Sequence, residues 1–252
     1  MQQMETTNPT LNGNIFAKAR ASVGSSQTMT VQGTVNKTFI LFAILLLTAG
    51  WSWMNAMNPE RAGSSGIILM VSAIVGFILA IATSFKPNWS PITAPMYAAC
   101  QGVFLGALSL FFEKSYPGIV IQAVGLTLAV MFCMLVAYQT GWIQATEGFR
   151  RGIMIAMVSL MVFYGIVWIA SFFGVHPPAF INGGGILGIG FSLFVVGLAA
   201  MFLIIDFDFI ERASQEGLEK YMEWYGGFSL MVTLIWLYME ILRLLSKINR
   251  RD

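Results

Sequence analysis

Positions 186–211 read ILGIGFSLFVVGLAAMFLIIDFDFIE. The first part, 186–205, holds no charged residue. About 20 apolar residues, at a rise of about 1.5 Å each, span the roughly 30 Å hydrocarbon core of a bilayer as one helix. Working outward, six more such runs fall at 38–53 (extended at its start by Val35), 66–85, 92–112, 118–138, 152–173 and 225–245. Between them lie loop signals such as Asn58-Pro59-Glu60-Arg61, Lys86-Pro87-Asn88, Tyr116-Pro117-Gly118 and His176-Pro177-Pro178. Short loops make consecutive helices antiparallel neighbours in one bundle. Only helices and closed barrels satisfy the backbone in lipid, and runs of this length exclude barrel strands.

Composition leads to the same fold. Hydrophobic residues make up 57% of the 252 and charged residues 10%, against about 25% charged in a soluble domain. So little charge leaves lipid as the solvent for most of the surface. Fourteen Lys+Arg against twelve Asp+Glu give +2, which offers nothing to nucleic acid. The expected fold is an all-α membrane protein, a seven-helix transmembrane bundle over 35–252 behind a polar, flexible N-terminal tail over 1–34. No cleavable leader and no lipidation motif is expected, since the first 36 or so residues are polar. Cys100 and Cys133 lie inside apolar runs and read as small buried residues, not as a disulfide or metal site.

Trp51, Trp53, Trp89, Trp142, Trp224 and Tyr225 stand near run ends, at headgroup level. Gly102-Val-Phe-Leu-Gly106 and Gly184-Gly-Ile-Leu-Gly188 have the small-xxx-small spacing of close helix packing. The triple glycine at 183–185 reads as the start of the sixth helix, and no internal repeat points to an inverted-repeat transporter. With the N-terminus inside, inner segments hold Lys18, Arg20, Lys37, Lys86, Arg150, Arg151, Arg212 and Lys220. Outer segments hold Arg61 and Lys114, and the tail holds Arg243, Lys247, Arg250 and Arg251. The loops favour a cytoplasmic N-terminus in the plasma membrane. The basic tail opposes that choice unless the seventh helix is half-buried or re-entrant.

Acid is unevenly placed. Seven of the twelve acidic residues are Asp206, Asp208, Glu211, Glu216, Glu219, Glu223 and Glu240. An acid inside a membrane helix costs roughly 2.5–3.5 kcal/mol on insertion scales, so each is a functional candidate. A helix continuing past 205 turns Asp206 and Asp208 to nearly opposite faces. Asp208 then shares a face with Glu211 and Arg212, and pairing with Arg212 is its plain alternative. Asp206 has no basic residue one turn away. Glu240 sits in a continuous apolar stretch with Arg243 three residues on, so a structural ion pair is its plain alternative. Thr233, Trp236, Leu237 and Glu240 share one face, where Thr233 can bond across helices or to its own backbone. A hairpin turning near Gly217 brings Asp206 beside residues 228–233, well short of Glu240.

Catalysis has little to stand on. His176 is the one histidine and lies in a Pro-rich loop. A serine protease needs a buried Ser–His pair. An aspartyl protease needs two facing interior aspartates, and a second is lacking. A zincin needs His-Glu-x-x-His. No enzyme, no cofactor and no resident metal is expected.

Several stretches together resemble one family. They are Met29-Thr-Val-Gln-Gly-Thr-Val-Asn-Lys-Thr38, Ala94-Pro-Met-Tyr97 leading into Gln101-Gly102 and Gly106, Tyr116-Pro-Gly-Ile-Val-Ile-Gln-Ala123, Asp206-Phe-Asp-Phe-Ile-Glu211 and Trp236-Leu-Tyr-Met-Glu-Ile-Leu-Arg-Leu-Leu-Ser-Lys247. With them the chain resembles the Bax inhibitor-1 family, most closely its bacterial YccA-like branch. The resemblance implies a central seventh helix ringed by the other six. It implies a pH-sensitive calcium leak, sensed by two aspartates on the sixth and seventh helices that share a proton. Asp206 matches the first of these; Thr233 stands near the position of the second. The family's second-helix arginine has no counterpart, and Gln101 stands where a third-helix glutamate is frequent. Taken with the acids read above, Asp206, Asp208, Glu240 and Thr233 are expected to form the ion pathway or pH sensor, with Arg212 and Arg243 as candidate ion-pair partners, and the resemblance implies calcium as the transported ion. The alternative implied is a membrane interaction protein that modulates a membrane-bound AAA protease through its N-terminal tail.

Overall fold

The computed structural model describes residues 28–58, 62–174, 178, 183 and 185–250, with backbone alone at 62–65. Seven helices follow one another: α1 Val31–Met57, α2 Ala62–Phe85, α3 Ser90–Ser115, α4 Ile119–Gln139, α5 Glu147–Phe172, α6 Ile186–Gln215 and α7 Met222–Asn249. A 3-10 turn, Pro87–Trp89, joins α2 to α3. Each of the seven is long and apolar enough to cross a membrane. His176 lies outside the described residues, as does the expected tail through residue 27.

The helices outrun the apolar stretches that mark them. α1 begins at Val31, where the Thr30 hydroxyl accepts the Gly33 N–H at 2.9 Å. Thr34 and Thr38 then donate their hydroxyls to carbonyls one turn back, so these polar residues stay helical at little cost. α4 starts at Ile119 because Glu113 accepts the N–H groups of Gly118 and Val120, at 2.6 and 3.1 Å. These are donors a helix start leaves open, and a carboxylate also suits the positive end of the helix dipole. The glycine run does start α6, whose N-cap is Gly185.

α7 is central. Half of its most apolar stretch is buried, against 11% for α5. One core cluster joins Leu41 and Leu45 of α1, Tyr97 and Leu105 of α3, and Phe228 and Met231 of α7. A second joins Ile119 and Ala123 of α4, Leu203 of α6, and Leu237 and Ile241 of α7. α5 packs on α6 through Ile153 and Leu160 against Val195 and Leu198. α2 packs chiefly on α3, tied by a hydroxyl bond of 2.7 Å between Thr83 and Thr93. The ring around α7 is therefore closest at α1, α3, α4 and α6. α5 reaches it through a 3.3 Å hydrogen bond from Arg243 to Tyr164.

Outward faces are apolar, with Phe39, Leu47, Phe85 and Leu187 each at least 70% exposed. Trp51, Trp89 and Trp142 are exposed near helix ends, and Lys86 lies 4.3 Å over the Trp89 ring. Cys100 is half-buried and Cys133 exposed, both as free thiols; the expectation of two buried cysteines fails because Cys133 faces outward from α4. α7 is unbroken over its 28 residues. Seven antiparallel crossings leave residues 28 and 250 at opposite ends of the bundle.

The spacing Gly102-xxx-Gly106 seats α3 against α1. A Cβ at Gly106 falls on the Ala49 carbonyl, and one at Gly102 falls on the Leu45 carbonyl and Thr48 hydroxyl. Ser52 completes the contact by donating to the Val103 carbonyl at 2.7 Å. Gly184 of the second such motif lies outside the described residues. Backbone cannot move aside as a side chain can, so Gly106→Leu is expected to destabilise the protein by about 1–3 kcal/mol. Thermal unfolding in detergent reads this. Gly125→Ala is the control, since nothing lies within 4 Å of a Cβ there; equal melting of the two variants would remove the close-approach account.

Candidate functional site

α6 does continue through its acids, and they part as the helical period requires. Two residues rotate a helix by about 200°, so Asp206 faces α7 while Asp208 faces α5. Asp206 is 2% exposed. Its Oδ1 accepts the Ser229 hydroxyl at 2.6 Å and its Oδ2 accepts the Thr233 hydroxyl at 2.5 Å. Both donors come from α7, one turn apart, within the 228–233 window that hairpin arithmetic gives. Thr233 makes its shorter contact across helices; its own-backbone contact, to the Ser229 carbonyl, is 3.3 Å. No Lys or Arg among the described residues lies within ion-pair distance of Asp206.

Magnitudes place this carboxylate near balance. Hydrogen bonds to a charged group contribute about 1.5–3 kcal/mol each. An acid at the centre of a span costs about 2.5–3.5 kcal/mol on insertion scales. Two hydroxyl donors thus roughly offset the burial, and loss of either one tips the balance.

The other two acids are held differently. Asp208 receives the Arg150 guanidinium at 2.5 Å and Arg212 Nε at 3.0 Å. Its pairing with Arg212 was legible; the stronger tie, to Arg150 on α5, was not. Glu240 is 4% exposed and binds Arg243 at 3.0 Å. The acids of Asp208 and Glu240 are thus each neutralised by a guanidinium, while Asp206 and Thr233 form one cluster without either. From Ser229 to Glu240 is about 16 Å along α7 at 1.5 Å per residue, so Glu240 belongs to a different level of the bundle.

A polar recess of about 560 Å³ opens beside Asp208, with Tyr138, Gln144, Glu211 and Arg212 in its wall. Tyr138 donates its hydroxyl to Glu211 there. Among the described residues no three His, Cys, Asp or Glu side chains gather to hold a metal.

Sequence reasoning missed Ser229, which stands four residues before Thr233 and could have been found on the same helical face. It missed Arg150 and Tyr138, whose roles require knowing where α4 and α5 pack. It also missed the buried Lys247, which donates to the Ser192 hydroxyl at 2.8 Å and the Gly188 carbonyl at 3.1 Å.

The comparisons with known proteins agree with this geometry at the level of the whole chain. No curated protein and no solved structure matches it. One family model, described as Bax inhibitor 1 like, matches residues 8–250. That match takes in all seven helices and the Asp206 cluster, and with it the chain belongs to the Bax inhibitor 1-like family.

Proposed function

We propose that this protein is a cation leak pathway of the YccA-like kind, not an enzyme, with calcium as the ion and the α6–α7 seam at Asp206 as its gate. The observation that carries this is the partner set of Asp206. Of the three acids singled out in the spans, it alone has hydroxyls and no guanidinium around it. Calcium prefers oxygen ligands, charged carboxylates among them. A carboxylate flanked by two hydroxyls supplies such oxygens, and it need not first break an ion pair. Proton uptake by Asp206 removes its charge and makes it a donor. The two hydroxyls that now bridge α6 to α7 then lose charge-assisted partners, and the seam repacks.

Calcium flux into liposomes tests this reading. Wild-type flux is expected to change between neutral and mildly acidic pH, and Asp206→Asn to give flux independent of pH. Equal flux from both proteins at every pH would sink the gating role.

The plasma membrane, with α1 starting on the cytoplasmic side, is part of the same proposal. Lys37, Lys86, Arg150, Arg151, Arg212 and Lys220 belong to one end of the bundle, and basic residues favour that side. A second reading, an interaction protein that engages a membrane-bound AAA protease, draws on that end too. Residues 28–30 are pinned to it, with the Met29 N–H donating to the Leu218 carbonyl at 2.7 Å, and on this reading the protease engages that end. Deletion of residues 1–26 is expected to abolish protease binding and leave flux intact, and a tag at residue 1 should be cleaved only in inside-out vesicles. Binding retained after deletion, or a tag cleaved in intact cells, would count against it.

A further inference from the structure

Glu223 is an acid that the gate does not use, yet it is 1% exposed. Its Oε1 accepts both the N–H and the hydroxyl of Thr30, at 3.1 and 3.0 Å, and the Lys220 amine lies 2.9 Å from the same oxygen. Gly33 leaves the room for this, since a Cβ there falls inside the Glu223 carboxyl group. The neighbouring backbone is tied as well. Met29 N–H donates to the Leu218 carbonyl at 2.7 Å, and Thr28 pairs with Glu219 in an isolated antiparallel bridge. Residues 28–30 therefore lie as a short strap across the loop that joins α6 to α7.

The strap ends in a plug. Met29 is 2% exposed and packs on Ile210 and Ala213 of α6, with Gly226 of α7 facing its terminal methyl. Ile210 is four residues beyond Asp206 on α6, and Gly226 is three residues before Ser229 on α7. Residues three and four apart share a helical face. Met29 thus occupies the α6–α7 seam one turn, about 5.4 Å, outward of the Asp206–Ser229 pair. Water or an ion that follows the seam from this end meets Met29 before it meets Asp206.

We propose that Glu223 is a positioning residue which holds residues 28–30 over the seam as its seal, so that release of the strap opens Asp206 to the aqueous face. This rests on the leak reading for its consequence, but not for its geometry. A carboxylate that only fixed the start of α1 would leave Asp206 equally sealed when removed. A carboxylate that holds the seal would not.

The test uses the full chain in liposomes with Cys100→Ser, Cys133→Ser and Ile210→Cys as reporter, a position on the α6 side of the seam beneath Met29 and outside the Asp206 cluster. A membrane-impermeant maleimide is applied to the face that carries residue 30, and the labelling rate is read. Glu223→Ala, which removes the acceptor of both Thr30 bonds, and Gly33→Ala are each expected to label about tenfold faster than the parent, the change that loss of about 1.4 kcal/mol of hydrogen bonding gives to an opening equilibrium. Rates equal to the parent would overturn the proposal. A second variant covers failure of those two to fold. Thr28→Cys with Glu219→Cys, in the same background without the reporter, joins residues whose bridge geometry suits a disulfide. Oxidation is expected to suppress calcium flux and reductant to restore it; flux that ignores the disulfide would also overturn the seal. Absence of calcium flux from wild type removes the leak reading, and the labelling rates then decide the seal by themselves.

Discussion

Lipid offers no hydrogen bond, and every polar group carried into these seven helices must find a partner inside the bundle. This constraint explains most of what the interior looks like. Ser52, Thr83, Ser109 and Lys247 each bond to a group on another helix. Asp208 and Glu240 are closed by guanidinium groups. Helix packing supplies the rest, through glycines on α3 that admit the α1 backbone and through apolar clusters that meet on α7. Asp206 obeys the same constraint by the narrowest margin. Its partners are two neutral hydroxyls on a single neighbouring helix, and that margin makes it the candidate gate.

The arrangement separates structural charge from functional charge. Arg150 and Arg212 converge on Asp208, and the Arg150 bond fastens the start of α5 to α6. α5 makes few other buried contacts, so this clamp contributes heavily to its place in the bundle. Arg243 serves both Glu240 and Tyr164, and so links α7 to α5 nearer the other end. With α5 and α7 each fastened by guanidinium groups, the seam at Asp206 is the level where hydroxyls make the polar tie between α6 and α7. Among the described residues, Asp206 meets Thr233 and Ser229 across the seam and no second carboxylate. One proton on one carboxylate, and not a proton shared by two, is then the unit of any pH response.

Much of this was legible in the sequence. The seven runs mark the helices because length and absence of charge suffice for that. Helix ends were less legible: Thr34 and Thr38 lower the apolar signal while staying helical through their own hydroxyl bonds. The approach of Asp206 to residues 228–233 followed from the short hairpin, since α6 and α7 are antiparallel and the turn fixes their register. Arg150 with Asp208 could not be read in this way, because 58 residues and a whole helix hairpin separate them. Glu223 was visible as one acid in a cluster, but its tie to Thr30 crosses 193 residues. Thr28, Met29 and Thr30, only three residues before a helix, carry no periodic signal that would mark them as a strap.

The central claim is that the charge on Asp206 sets the state of the seam. Infrared difference spectroscopy of the protein in bilayers, titrated from neutral to acidic pH alongside calcium flux, tests it most directly. The predicted result is a carboxyl protonation band that is absent from Asp206→Asn, with a midpoint at the pH where flux changes. A flux response that persists while the Asp206 carboxyl stays in one protonation state would contradict the account.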